Sequence, residues 1–179
     1  MIHPEVYAPA EDTWLLLQAA EKECSDGERV LEIGCGSGAI AGALRWRARV
    51  IATDINPHAV MAARDAGVEV IRTDLFSGIC GTFDLVLFNP PYLPTPPDER
   101  MDDWLEYALD GGPDGRAVIA RFLSGVGRVL APGGRGLLLI SSLTGLPEVS
   151  ILVRQAGFTP EVFMKEQVEG EMLMVIRFR

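Results

Sequence analysis

The sequence runs to 179 residues, is 48% hydrophobic, and carries a formal net charge of −9 with a pI near 4.7. That length and apolar fraction predict one domain over residues 1–179, and with no run near the roughly 20 apolar residues of a membrane span and no signal-peptide layout at the start, a cytoplasmic protein is expected. The acidic balance weighs against a protein that grips nucleic acid through phosphates, and neither the spacing of Cys24, Cys35 and Cys80 nor two isolated histidines suggests a disulfide or a metal site.

In chain order, a helix over 10–23, with apolar Trp14, Leu15, Leu17 and Ala20, precedes a β-rich run at 29–34. A helix at 39–46, strand at 50–54, helix at 57–66 and strands at 68–73 and 83–88 follow, then a helix at 115–130, a strand at 136–141 and a helix at 147–156. Arg45, Arg47 and Arg49 cluster where the second helix ends and read as a solvated helix end. Alternation of this kind signals βαβ units with right-handed crossovers and a parallel sheet covered on both faces. The last two runs, 159–164 and 172–178, are joined by a short polar segment with Gly170 and predict an antiparallel hairpin at the end of the sheet. The expected fold is therefore α/β and Rossmann-like. Its seven strands are mostly parallel, without the further βαβ units of a dinucleotide dehydrogenase.

After the first strand comes Glu32-Ile33-Gly34-Cys35-Gly36-Ser37-Gly38, a glycine-rich turn whose missing side chains let backbone amides approach a ligand. The preceding acid would repel a pyrophosphate but suits a cationic amino group. Asp54 ends the second strand, where a carboxylate can accept from both hydroxyls of a ribose. Asp74 ends the third, where it can accept from an adenine amine while Leu75 covers the ring. Singly, each acid reads equally well as a strand-end turn former. Three of them at the carboxyl ends of successive strands point to the crevice where open α/β sheets bind ligands.

The fourth strand runs into Asn89-Pro90-Pro91-Tyr92. Two prolines remove backbone donors and fix the turn, leaving the Asn89 side-chain oxygen and the Pro90 carbonyl as outward acceptors. Two acceptors can hold the hydrogens of a planar nitrogen, aim its lone pair at an electrophilic methyl and favour the positive charge that develops, while Tyr92 stacks on the planar group. Asn89, Pro90 and Tyr92 are thus the candidate catalytic residues. The plainer reading is an ordinary proline-rich turn.

Taken in order, Tyr7-Ala8-Pro9-Ala10-Glu11-Asp12-Thr13, the glycine-rich turn, Asp54-Ile55-Asn56-Pro57, Asp74-Leu75-Phe76, the Asn89 turn and Gly111-Gly112-Pro113-Asp114-Gly115-Arg116 resemble the HemK-related glutamine N5-methyltransferases. These modify the Gly-Gly-Gln motif of class I peptide-chain release factors, and the resemblance covers nearly the whole chain. The opening motif and the lack of an added N-terminal substrate domain resemble the short archaeal and eukaryotic branch, although Ala8 stands where that branch often has an acid. The resemblance implies a class I methyltransferase fold and S-adenosylmethionine as cofactor. It places Tyr7, Thr13, Glu32, Gly34, Gly36, Gly38, Asp54, Ile55, Asp74, Leu75 and Asn89 at that cofactor, with residues 1–28 covering it. It also implies a release-factor substrate and a small zinc-binding activator protein on an edge strand, here the apolar stretch of Val68, Val70 and Ile71, although an edge protected by its own neighbours is an equal reading.

Residues 93–114, following the reactive turn, read as the substrate-side loop, acidic at Asp98, Glu99, Asp102, Asp103 and Glu106 and aromatic at Trp104 and Tyr107. An acidic lip also suits a basic protein tail carrying lysine. A nucleic-acid methyltransferase acting on adenine N6 or guanine N2 fits the same turn but needs a base-flipping surface with phosphate contacts, against which the net charge counts. A scaffold that binds cofactor without catalysis would have no use for the intact reactive turn.

Overall fold

The computed structural model describes residues 3–96 and 103–179. Among the described residues five α-helices, α1 (Glu11–Glu23), α2 (Ala39–Leu44), α3 (Pro57–Asp65), α4 (Ala117–Val126) and α5 (Leu146–Gln155), flank seven strands. These are β1 (Arg29–Ile33), β2 (Arg49–Asp54), β3 (Glu69–Arg72), β4 (Phe83–Phe88), β5 (Leu130–Ser141), β6 (Pro160–Val168) and β7 (Glu171–Phe178). They form one sheet in the order β3-β2-β1-β4-β5-β7-β6. The first five pair in parallel, and β7 runs antiparallel to both β5 and β6. The expected α/β architecture with its closing hairpin is what the chain adopts. None of the helices among the described residues is long and apolar enough to cross a membrane.

Period-two alternation divides the sheet between two cores. Along β4, Leu85 and Leu87 face one core, with Leu15, Leu16, Leu44 and Val60 of the first three helices. Val86 and Phe88 face the other, with Ile119, Phe122, Val149 and Val153 of α4 and α5. With both faces covered, the carboxyl ends of the strands are left open. The chain steps outward from β1 to β2 to β3 and then returns to the far side of β1 as β4. The residues that follow β1 and β4 therefore diverge and leave a crevice between them.

Several boundaries differ from expectation, each for a local reason. Strand β5 begins at Leu130 because Pro132-Gly133-Gly134, which reads as a turn, sits in a register irregularity between the Phe83–Leu130 and Leu85–Arg135 pairs. Helix α4 starts only at Ala117: Gly115 has φ +73 and lies where a Cβ would collide with the Tyr92 carbonyl, so it belongs to a turn. Strand β6 continues to Val168 as an outer strand whose residues are all partly or fully exposed, which leaves no apolar alternation to read. At the other edge, Val68 precedes β3, and both Val68 and Val70 are buried in the core; of the apolar stretch, only Ile71, 43% exposed, faces outward. The Arg45 and Arg47 side chains are tied to the Ala66 carbonyl and to Asp26 and the Glu21 carbonyl, in keeping with a helix end held to its own loops.

Candidate functional site

A cleft of about 450 Å³ opens at the carboxyl ends of β1, β2 and β4, within the roughly 300–1,000 Å³ typical of small-molecule sites. Its floor is the glycine turn after β1. Gly34 and Gly36 have positive φ, which brings the backbone under the cleft, and the Gly36 amide donates to Asp54 Oδ2 at 2.9 Å. The Asn56 amide donates to Asp54 Oδ1 at 2.9 Å. Each oxygen of this buried carboxylate still has a lone pair to offer, so Asp54 can hold two loops in place and also accept from a diol. Burial raises its pKa, opposed by those amide bonds.

Glu32 lies deeper, 4% exposed, and accepts from the Ala41 amide at 2.8 Å. Burial pushes its carboxyl up to about 8; the amide bond opposes the shift and the neighbouring Asp54 adds to it. At the β3 end, the Asp74 carboxylate pairs with Arg121 of α4 at 2.5 Å. Leu75 beside it is the one non-glycine residue with positive φ (49°) among those described. A leucine held there stores of order 1–3 kcal/mol of strain, the kind that surrounding structure maintains at ligand sites.

At the β4 end, Asn89 is fixed by Asp12 of α1: its amide Nδ2 donates to Asp12 Oδ2 at 3.0 Å. A carboxylate only accepts, so this contact settles which way the amide points. Its Oδ1 is buried and has no partner among the described residues. Such an orphan is costly in a finished fold and calls for a donor. Asp12 itself is 4% exposed and accepts from the Tyr7 hydroxyl at 3.1 Å and from the Thr13 amide and hydroxyl at 2.6 and 3.1 Å. Tyr7 and Tyr92 both have raised pKa values, by burial first and then by Asp12, with Glu171 contributing to each.

Of the candidate cofactor residues, Tyr7, Thr13, Glu32, Gly34, Gly36, Asp54, Ile55, Asp74, Leu75 and Asn89 line the cleft, as do Pro90 and Tyr92. Gly38 does not. It caps α2 with φ +78, and a Cβ there would press on Ala63 at 2.9 Å, so its smallness serves the packing of α2 on α3. Trp104 and Tyr107 line the cleft with their rings 5.2 Å apart. Glu106 is buried instead of forming an acidic lip, because the Glu106–Ala108 turn of 3-10 helix carries it inward; Asp98, Glu99 and Asp102 lie outside the described residues. Three charged lining residues had no assigned role in the sequence reading of the site: Asp12, Arg121 and Glu171. Only Asp12 gave a signal, since it falls within the opening motif. Away from the cleft centre, and contrary to the expectation of no ligand cluster, His3, Glu5 and His58 come together.

A family model, the methyltransferase small domain, matches residues 4–98. A Methanocaldococcus jannaschii protein provisionally named a protein N5-glutamine methyltransferase is 42% identical, with 98% of this chain and 92% of that protein covered. Mouse methyltransferase HEMK2 is 35% identical over 97% of this chain and 89% of its own length. Among solved structures, the Encephalitozoon cuniculi Mtq2–Trm112 complex, described as responsible for methylating the eRF1 termination factor, superposes with a TM-score of 0.82 at 31% identity, covering 98% of each chain. The N-methyltransferase NodS of Bradyrhizobium japonicum, solved with S-adenosyl-L-homocysteine, shares the fold at TM-score 0.65 and 20% identity, over 92% of this chain and 83% of that one.

Proposed function

From the premise that this chain belongs to the methyltransferase small-domain family, in its HemK-related branch, we propose that it N5-methylates the glutamine of the Gly-Gly-Gln motif in a class I release factor. The observation that carries this reading is the orphaned Asn89 Oδ1, a buried acceptor at the end of β4 whose orientation Asp12 fixes. A primary amide has two N–H hydrogens and little basicity. It reacts at nitrogen when acceptors take those hydrogens and stabilise the positive charge that develops.

Bound S-adenosylmethionine supplies the electrophilic methyl group, and the fold is that of methyltransferases using this cofactor. The residues present fit it. Asp54 offers one free lone pair per oxygen to the ribose hydroxyls, Leu75 offers an apolar surface to the base, and the glycine turn admits the chain between them. Asn89 Oδ1 accepts from the substrate nitrogen, Pro90 shapes the turn without a competing donor, and Tyr92 sets the plane of the amide. Asp12 does not touch the reacting nitrogen in this scheme and acts as a positioning residue. A lysine side chain is the second reading, favoured by the carboxylates of Asp12 and Glu171 beside Tyr7 and Tyr92.

Edge strand β3 is the docking place for a small zinc-binding activator protein. The exposed Ile71 and the unpaired backbone edge offer strand addition, and the related Mtq2 structure is of a complex with Trm112. Raised activity on adding such a protein would support this assignment, and full activity of the chain alone would count against it.

The deciding experiment incubates the protein with labelled S-adenosylmethionine and a class I release factor, followed by mass spectrometry of the Gly-Gly-Gln peptide. Methyl-glutamine supports the proposal. Label on lysine selects the second reading, and label only in nucleic acid overturns both.

A further inference from the structure

The chain has two histidines, far apart in sequence, and the fold brings their rings together. The His3 and His58 centroids lie 3.8 Å apart with planes 3° from parallel. Glu5 completes the group, and one ligand atom from each of the three residues lies within 4.8 Å of the others. Two elements built for other reasons cause the meeting. Asn56 caps α3 by accepting from the His58 amide at 2.8 Å, which puts His58 in the first helical turn. The same Asn56 donates its Nδ2 to the Glu5 carbonyl at 2.8 Å, which holds the N-terminal segment against that turn.

We infer that His3, Glu5 and His58 form a binding site for a divalent transition-metal ion of the zinc class, at the rim of the cofactor cleft. Two imidazoles and one carboxylate are a donor set that zinc accepts, with water completing the coordination, whereas magnesium and calcium prefer oxygen donors throughout. Ligand atoms around tetrahedral zinc stand roughly 3.3 Å apart, given metal–ligand distances of about 2.0–2.1 Å, so the group has to contract slightly. A metal also lies in the plane of each ligating ring, so the stack has to open. Both changes fall on side chains that are not fully packed, His3 being exposed and Glu5 and His58 half-buried.

The site has a structural reach that a random surface cluster would lack. Glu5 also accepts from the Trp104 amide at 3.2 Å, and Trp104 lines the cleft. An ion held here fastens the segment leading to Tyr7, the start of α3 and the Trp104 loop to one another. An ion at this place binds whatever the methyl acceptor is, and its binding can be read without an activity measurement.

Calorimetry of the full chain, prepared without a histidine tag and titrated with zinc chloride, is expected to show one site, with no comparable binding of magnesium chloride. His3→Ala, His58→Ala and Glu5→Gln should each weaken binding by at least about tenfold, and Cys80→Ser, which alters the exposed cysteine, should leave it unchanged. Zinc in excess should raise the melting temperature of the wild type but not of the doubly substituted His3→Ala/His58→Ala protein. X-ray absorption of the zinc-loaded wild type, which needs no variant, should show imidazole scattering and no sulfur. Absence of submillimolar zinc binding, unchanged affinity in the double variant, or sulfur ligation would overturn the inference.

Discussion

Asp12 and Asn89, 77 positions apart in sequence, meet at 3.0 Å with the carboxylate accepting and the amide donating, which leaves the buried amide oxygen as the atom still in need of a donor. This polarity predicts how the two residues differ. Asn89→Ala removes an acceptor and should lower turnover by about 100- to 1,000-fold. Asp12→Asn can itself donate, so it no longer dictates the orientation of Asn89. It should reduce kcat while changing cofactor affinity little. Single-turnover methylation at saturating cofactor reads both effects, and near wild-type transfer by Asn89→Ala would show that this oxygen plays no part in the chemistry.

Tyr92 tests the positioning of the acceptor amide. Tyr92→Phe keeps the aromatic face and should retain most activity, whereas Tyr92→Ala should impair both KM and kcat. Equal losses in the two variants would assign the role to the hydroxyl.

Asp54 carries both loop order and the proposed ribose contact. Asp54→Ala should weaken S-adenosylmethionine binding by on the order of 2–4 kcal/mol, since bonds to charged groups contribute roughly 1.5–3 kcal/mol each and do not add fully. The same change strands the Gly36 and Asn56 amides, so the melting temperature should also fall. Calorimetry and thermal denaturation separate the two effects, and Asp54→Asn, which keeps acceptor capacity, should lose less of both.

Glu32 predicts a pH dependence of the ligand-free protein. Its carboxyl titrates near 8 in the fold, against an ordinary value of 4.5. The folded state therefore holds a proton that the unfolded chain releases. That contribution is fully present below about pH 4.5 and is lost as pH rises towards about 8, at a total cost of a few kcal/mol. Glu32→Gln mimics the protonated form and should flatten this decline, leaving a smaller slope from Asp54, whose pKa is raised in the same direction. Melting curves between pH 5 and about 8.5 check it; an equal slope in the variant would remove Glu32 as the source.

Arg135 of β5 ties that strand to the end of α1 and to the residue before β1 by binding Glu23 at 3.0 Å and Glu28 at 2.9 Å. Burial disfavours its charge, but the bonds to Glu28 and Glu23 outweigh burial and raise its pKa. Arg135→Met should destabilise the fold by about 1–3 kcal/mol, because half-buried Glu28 loses its cationic partner and Glu23 keeps only Arg177. Denaturant unfolding measures it, and activity per folded molecule should be unchanged.

The parts of this molecule that could be read from its sequence are those where one physical requirement governs a stretch. β1, β2 and β4 are buried over most of their length and so read as largely apolar runs, and the acids at strand ends mark the crevice. Where two requirements overlap, the sequence misleads. Pro132-Gly133-Gly134 satisfies a turn and also an irregular strand, and Gly38 satisfies a ligand loop but serves helix packing. Val68 and Val70 read as an apolar edge because a list of residue types does not say that both turn into the core, Val68 just before β3 and Val70 within it. Asp12, Arg121 and Glu171 reach the cleft from α1, α4 and β7, and only the closed tertiary structure brings such distant residues together.

The Asp74–Arg121 pair at the rim has a further consequence. Its two side chains are 57% and 46% exposed, so water already competes for both, and pairs of this kind contribute about 0–1 kcal/mol. The guanidinium is thus a loosely seated plug over the acceptor that an incoming base amine would use. Exchanging one donor for the other costs little and proceeds more easily as salt screens the pair. The β3 end of the cleft can therefore admit a ligand without breaking a strong pair, and discrimination there rests on the shape of the surface around Leu75 more than on the charge of Asp74.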